Sequence, residues 1–384
     1  MDGVKDAEAE VRRLSPQDGH HYYFGYHDIP SFSEGDEKHL CNKVDFRDRL
    51  PVKNDTCELG TLDVKNGTWK KFAATTAFNF QQGCMLQWDP KNPGTDVIYN
   101  VRDGNEFKAV VQNIYTGNTR TLPAALANVS PDGKWGLAVN MKRLYEFRPC
   151  CGYAGVQDPW HNTAQPKDDG IYLINMETGE MNLILNYHRI GRLFNIDPDE
   201  KLVVNHVTFG PDNNRFLFLV RNVVRPPQKW STSLGTIDRA GENFYPLNRM
   251  SMVSHYNWRD KNHLLVWADI KNSSGMFVIT DQKDESVQLD SQFFNQDIHC
   301  IYSPDKKYIL GDAYPDAEGF RRIYLYNMQT GKGRMLLRVK SDPAAQGDIR
   351  CDLHTRWSRN GKLVSFDSTH EGFRGLYLIE LGKL

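Results

Sequence analysis

One recurring pattern constrains the fold of this chain more than any other feature. It consists of an aromatic or apolar anchor, a turn rich in Ser, Pro, Asp and Gly, and a short apolar run. It reads VSPDGKWGLAV at 129–139, FGPDNNRFLFLV at 209–220 and WRDKNHLLVWAD at 258–269. It returns as YSPDKKYILGD at 302–312 and WSRNGKLVSFD at 357–367, and degenerate copies at 32–42 and 88–100 bring the number to seven. Between copies lie strand–turn–strand segments such as IYLINMETGEMNLIL and IYLYNMQTGKGRMLL, whose Asn and Gly residues suit tight hairpins. Each unit is then four antiparallel strands over about 45–55 residues, which is the size and composition of a propeller blade. Seven units predict an all-β fold, a seven-bladed β-propeller of four-stranded blades that uses residues 1–384 as a single domain. Residues 1–18 form an N-terminal extension, 142–170 a long loop inserted in blade three, and the last strand, LYLIEL, closes the ring.

Charge and composition narrow the function. With 47 basic and 48 acidic side chains the net charge is -1, which argues against a nucleic-acid partner. No apolar run approaches the roughly 18 residues of a membrane-spanning helix, so no membrane partner is expected. The first residues show neither a basic stretch nor an apolar one, so the chain reads as cytoplasmic as written; a periplasmic or secreted location stays open if a leader has been removed. Seven cysteines without regular spacing read as reduced thiols, with the vicinal Cys150 and Cys151 as bystanders. The sequence carries no phosphate-binding glycine loop, no nucleophile-elbow serine and no paired-histidine zinc helix. A monomer is expected.

Counting back from each anchor gives the most informative result. The third residue before the anchor is histidine in four consecutive blades: His206, His255, His299 and His354. The first three blades have Ile29, Met85 and Leu126 there. The innermost strand of each blade lines the axis of a propeller, so equivalent positions converge. Four imidazoles in register predict a divalent metal site, for Mn, Zn or Ca. Asp352, Cys351 and Cys300 are close enough in sequence to act as auxiliary ligands. The bland alternative is that each histidine stabilises its own blade.

Counting forward reaches the end of the second strand, where Asn42, Asn100, Asn140, Asp269, Asp312 and Asp367 stand, with basic residues just beyond in the first four blades: Lys43, Arg102, Arg143 and Arg221. An arc of cations there predicts an anionic ligand, for which guanidinium is a natural carboxylate partner. The 142–170 loop adds Tyr145, Arg148, Tyr153 and Trp160, residue types suited to contact with a sugar. Before blade one, GHHYYFGYHDIP supplies His20, His21 and His27 as candidates for acid–base work.

In-register histidines on a seven-bladed propeller, with Arg and Tyr across the same face, resemble the propeller polysaccharide lyases: the oligogalacturonate, ulvan and rhamnose-glucuronate lyases. The resemblance is strongest in VSHYNWRDKNHLLVWAD (253–269), DIHCIYSPDKKYILGDAYPD (297–316) and IRCDLHTRWSRNGKLVSFDSTHEG (349–372). It implies a divalent metal at His255, His299 and His354, and elimination chemistry at the places of His21, Arg102 and Tyr145. The chain departs from the ulvan-type pattern at the end of blade one's second strand, where Cys41 and Asn42 stand in place of a histidine.

The expected function is cleavage of an acidic oligo- or polysaccharide at a 4-linked uronic acid by β-elimination. The metal, or Arg102 and Arg143, would neutralise the sugar carboxylate. His21 or His27 would take the α-proton, and Tyr145 would protonate the leaving oxygen. Trp160 and Tyr153 would stack on sugar rings, with Asn42, Lys43, Arg148 and Arg221 as further substrate contacts. The rival readings are a non-catalytic carbohydrate- or protein-binding propeller with a structural metal, and a hydrolase or transferase using the same face.

Overall fold

The computed structural model of the chain describes residues 4–5, 10–223 and 230–382; the expected N-terminal extension lies partly outside them, at 1–3 and 6–9. The strands assemble into seven separate antiparallel sheets, and the architecture is the expected seven-bladed β-propeller. Five blades are built from four consecutive strands each. Blade one, for example, runs His21–Tyr23, Lys38–Val44, Cys57–Asp63 and Trp69–Thr75 from its inner to its outer edge. The chain divides into two compact units, Met1–Tyr99 with Val111–Thr119 and Asn295–Leu384, and Asn100–Val110 with Arg120–Phe294.

The last two blades borrow strands from the N-terminus. Blade six (Ile298–Tyr302 innermost) gains a fifth strand from Val4–Lys5, paired with Val339 and Arg338. Blade seven holds Arg356–Trp357, Leu363–Ser368 and Gly375–Glu380, and its outer strand is Glu10–Arg13. This corrects the expected closure: LYLIEL is the third strand of blade seven, and its partner Glu10–Arg13 seals the ring. A second correction concerns GHHYYFGYHDIP. Its His21–Tyr23 is not a lead-in but the inner strand of blade one, and that strand resumes with the Phe32–His39 bridge after an excursion over residues 24–30.

Hydrophobic faces pack blade on blade. Leu310, Leu337, Trp357, Phe366, Tyr377 and Ile379 join Val11 in one such core between blades six and seven. Leu217, Leu234, Trp258, Leu264 and Val266 form another between blades four and five. Each fully buried side chain of this kind stabilises the fold by about 1.5–3 kcal/mol.

Polar contacts of the repeat tie blades one, two, four and five each to the blade before it. Asp36 and Asn213 occupy the same turn position in left-handed conformation (φ 63° and 60°). Asp36 accepts the Arg359 and Asn360 amides at 2.7 and 3.0 Å, and Asn213 accepts the Asp132 amide at 2.8 Å. The anchor tryptophans do the same on the strand: Trp88 donates its indole N–H to the Ser31 carbonyl (3.1 Å) and Trp258 to that of Thr208 (3.3 Å). The 142–170 insertion begins in a short helix, Met141–Phe147, capped by the Asn140 side chain on the Lys142 and Arg143 amides. Among the described residues no helix is long and apolar enough to cross a membrane.

Candidate functional site

Strand alternation points His299 to the same side as its cross-strand partner Asp312, and the two register opposite each other in blade six. Their side chains meet, His299 Nδ1 lying 3.0 Å from Asp312 Oδ2. Asp312 is fully buried, and its other oxygen accepts the Thr355 amide of the next blade at 3.1 Å. Burial works against its charge, but His299 and that amide hold the carboxyl below its usual range.

His354 comes from the segment before the inner strand of blade seven and sits at φ 45°, a conformation that costs a β-substituted residue roughly 1 kcal/mol or more. A hydrogen bond from its Nδ1 to the Gly25 carbonyl fixes the ring. Gly25 itself is positioned by Asp367, which accepts the Gly25 amide at 2.9 Å and the Phe24 amide at 3.1 Å while pairing with the buried Arg356. Only glycine fits here: φ is +105°, and a Cβ would lie 2.7 Å from the Gly83 nitrogen.

These supports bring the two distal nitrogens together, His299 Nε2 and His354 Nε2 being 3.2 Å apart. With each Nδ1 set against an oxygen acceptor, the two Nε2 atoms face each other within hydrogen-bond distance, and in the tautomer that carries both protons on Nδ1 each Nε2 offers a lone pair to a cation. A 3.2 Å separation suits two nitrogens on one cation, since metal–nitrogen bonds of about 2.0–2.2 Å place neighbouring donors about 3.0–3.4 Å apart. Asp352 completes a group whose ligand atoms all lie within 4.8 Å of one another. Its carboxylate is paired with Arg321 and Arg350, each at 2.8 Å, and stays well below the usual carboxylate range despite burial. Burial pushes His354 far down, and the neighbouring His299 adds to this. In His299 burial also pulls downward, but the charge and hydrogen bond of Asp312 together with the Asp352 and Asp297 charges raise the pKa overall. Nitrogen and carboxylate donors, anchored from behind and kept from water, fit a divalent cation.

His27, on the excursion of blade one, joins the same cluster, its ring 5.1 Å from His299 and 5.5 Å from His354. All three imidazoles are 3–4 % exposed. Tyr26 stands 4.8 Å from His27, and Tyr314 5.6 Å from His299. His21 is half-buried on the inner strand of blade one. Its pKa is lowered by burial first and then by Arg47 and Arg374, so it is neutral at pH 7. Its Nδ1 lacks a hydrogen-bond partner among the described residues.

The other two in-register histidines belong to the second compact unit and are partly exposed. His206 has Tyr256 at 6.3 Å, and His255 has the Ser254 hydroxyl at 3.0 Å. In the same unit Arg148 donates to Asn205 (3.3 Å) and, with Arg221, lies over Trp230, at 5.9 and 5.1 Å. Arg102, Tyr145 and Trp160 are partly buried, and Lys43 pairs with Glu58 at 3.5 Å.

Three sequence expectations are corrected by burial. Arg143 is inaccessible. Its guanidinium pairs with Asp158 at 3.2 Å and donates to the carbonyls of Leu202, Trp160, Thr163 and Ala164, so it fastens the long insertion and cannot meet a substrate. Tyr153 is fully buried, its hydroxyl accepting from Asn100 at 2.9 Å and its ring packed on Phe107, which rules out sugar stacking. Asn42 is fully buried too. Its amide donates to the Phe24 carbonyl (2.9 Å), and its oxygen takes the Cys57 and Cys84 thiols (3.7 Å each). All seven cysteines are buried thiols outside any disulfide. The roles of Asp312, Asp367, Arg321 and Arg350 were not foreseen, although Asp312 and Asp367 share the strand-end position that the repeat marks.

No family model matches the sequence, and no curated protein matches it either. Solved structures do match in fold. An oligogalacturonate lyase from Vibrio parahaemolyticus superposes with TM-score 0.71 over 99 % of this chain and 96 % of its own, at 13 % identity. An oligogalacturonate lyase in complex with manganese gives 0.68 over 100 % and 96 %, at 17 % identity. The propeller domain of the Trilobed protease from Pyrococcus furiosus gives 0.53 over 93 % and 96 %, at 10 % identity.

Proposed function

We propose that the chain is a lyase that cleaves 4-linked uronate glycans by β-elimination, with a divalent cation held by His299, His354 and Asp352. The observation that carries this reading is the pair of buried Nε2 atoms, 3.2 Å apart, each ring fixed by an oxygen acceptor behind it. The likeness in fold to a lyase solved with manganese supports it. The cation, when bound, supplies positive charge to the uronate carboxylate, which acidifies the α-proton.

The chain's own residues do the rest. His27, alongside the ligand pair, is assigned the C5 proton, with His21 as the alternative because it is neutral at pH 7. An acid for the leaving oxygen and a second contact to the carboxylate are also needed, the roles that the sequence expectation gives Tyr145 and Arg102. Lys43 remains a candidate for holding the glycan; Arg148, Trp160 and Arg221, and the histidines His206 and His255, stay sequence expectations of the second compact unit. Arg321 and Arg350 keep Asp352 anionic.

The test is ultraviolet absorbance of the unsaturated uronate product. The purified protein is mixed with oligogalacturonate, ulvan, glucuronan or rhamnose-capped arabinogalactan, with chelator and after restoring Mn²⁺. A rise on one glycan, abolished by chelator and restored by Mn²⁺, is expected. Folded protein silent on every glycan with Mn²⁺ present would overturn the reading. It would favour a binding propeller with a structural metal, for which the depth of the three imidazoles is the supporting observation.

A further inference from the structure

Between the outer strand of blade one and the inner strand of blade two (Gln87–Trp88) runs a turn at 79–83, NFQQG, that is buried despite its polar sequence. Connecting segments normally run over the surface, yet Asn79, Gln81 and Gln82 are all under 7 % exposed. The turn satisfies its own backbone. The Asn79 side-chain oxygen accepts the Gln81 and Gln82 amides at 3.0 and 2.7 Å, and the Asn79 amide donates to the Gly83 carbonyl at 3.1 Å. The Gln81 side chain is therefore spare, and both of its ends go to one residue. Its Nε2 donates to the Arg350 carbonyl (3.0 Å), and its Oε1 accepts from the Arg350 guanidinium (3.4 Å). That guanidinium holds Asp352 through its Nε at 2.8 Å. Phe80 lies under the buried Arg374, 4.2 Å from its guanidinium, which donates to the Ile349 and Arg350 carbonyls. At the end of the turn the Gly83 nitrogen sits 2.7 Å from where a Gly25 Cβ would stand, and the Gly25 carbonyl fixes His354.

We propose that the 79–83 turn positions the metal site, with Gln81 as its principal positioning residue. The inference rests on the cation reading above and adds how two of the three ligands are held. One turn touches the support of both: Asp352 through Arg350, and His354 through Gly25. Gln81 acts through Arg350 and is not itself a ligand. A guanidinium held by Asp352 alone could swing with that carboxylate. A carboxamide that grips the guanidinium and the same residue's carbonyl fixes one against the other, and so fixes the direction in which Asp352 is presented. Partners behind metal ligands are worth about 10–100-fold in affinity.

The test measures Mn²⁺ binding to the full chain by calorimetry, after chelator has been removed, and the visible spectrum of the Co²⁺ form. Gln112 is the control. It is also buried, accepts from the Tyr99 hydroxyl at 2.7 Å and donates to the Phe72 carbonyl at 3.3 Å, partners outside the metal site. Gln81→Met, which keeps the side chain's length and removes both bonds, is expected to weaken Mn²⁺ binding about tenfold or more and to alter the Co²⁺ spectrum. Gln112→Met is expected to lower urea stability comparably and to leave affinity and spectrum as in the parent. Parent-like affinity in Gln81→Met, or equal losses of affinity in the two variants, would overturn the proposal and leave the cation site standing. A parent that binds neither ion would overturn the site and this inference with it. Should Gln81→Met fail to fold, amide hydrogen exchange of the parent decides. Coupling is reciprocal, so Mn²⁺ is expected to slow exchange at the Gln81 and Gln82 amides, and unchanged exchange there would overturn the proposal.

Discussion

His299 and His354 owe their usefulness to atoms on the far sides of their rings. Asp312→Asn leaves the volume of the site unchanged but removes the charge behind His299, so Mn²⁺ affinity measured by calorimetry is expected to drop about 10–100-fold. His354→Ala should drop it further and leave the propeller folded, as circular dichroism would report. Arg143 is the counter-case. Arg143→Ala leaves Asp158 buried and unpaired, and a loss of about 3–5 kcal/mol in urea unfolding is expected. Unchanged stability would mean that the long insertion is not fastened by this pair. The sequence made the histidine register legible because anchor spacing is a local, countable property. It did not distinguish His299 and His354 from His206 and His255, because what separates them is burial and a carboxylate thirteen residues along the chain, at position 312. Arg143, Tyr153 and Asn42 misled for the same reason: side-chain chemistry is visible in sequence, but exposure is not.

Blades were legible as elements because each carries its own turn. Blade one was the exception. Its inner strand is broken by the excursion at 24–30, and counting from Phe32 placed that strand too late. The seam between blades one and seven carries a pH dependence. His39 of blade one is buried between the Leu40 carbonyl and the Ser365 hydroxyl, and burial, reinforced by Arg356, drives its pKa well down. On the loop between the last two strands of blade seven, burial lowers His370 to about 4, with Glu371 opposing. Both are neutral when folded, whereas the unfolded chain protonates them near pH 6.5. Between pH 6.5 and about 4 the unfolded state therefore binds more protons, and stability falls as pH drops through that window. His370→Gln is expected to flatten the fall in melting temperature between pH 7 and 5. An equally steep fall in the variant would assign the effect to His39.

At the scale of the molecule, the ring is shut by one strand, Glu10–Arg13, lying on Gly375–Glu380. Local pattern could not reveal this pairing, since its partners lie at opposite ends of the sequence. Glu10 faces Glu380 in register, two like charges at the closing seam. Glu10→Lys is expected to raise stability by a few tenths of a kcal/mol up to about 1. Glu10→Cys with Glu380→Cys, oxidised, should slow unfolding markedly, and an unfolding rate unchanged by oxidation would show that the ring does not open there first. The same seam imposes a schedule on synthesis. The strand that seals the last blade leaves the ribosome long before its partner. At about 5–20 residues per second, Glu10–Arg13 waits roughly 20–70 seconds as an unpaired β-edge before Gly375–Glu380 emerges. Through that interval the nascent chain presents a sticky end, and its yield in cells should depend on whatever shields that end until translation is complete.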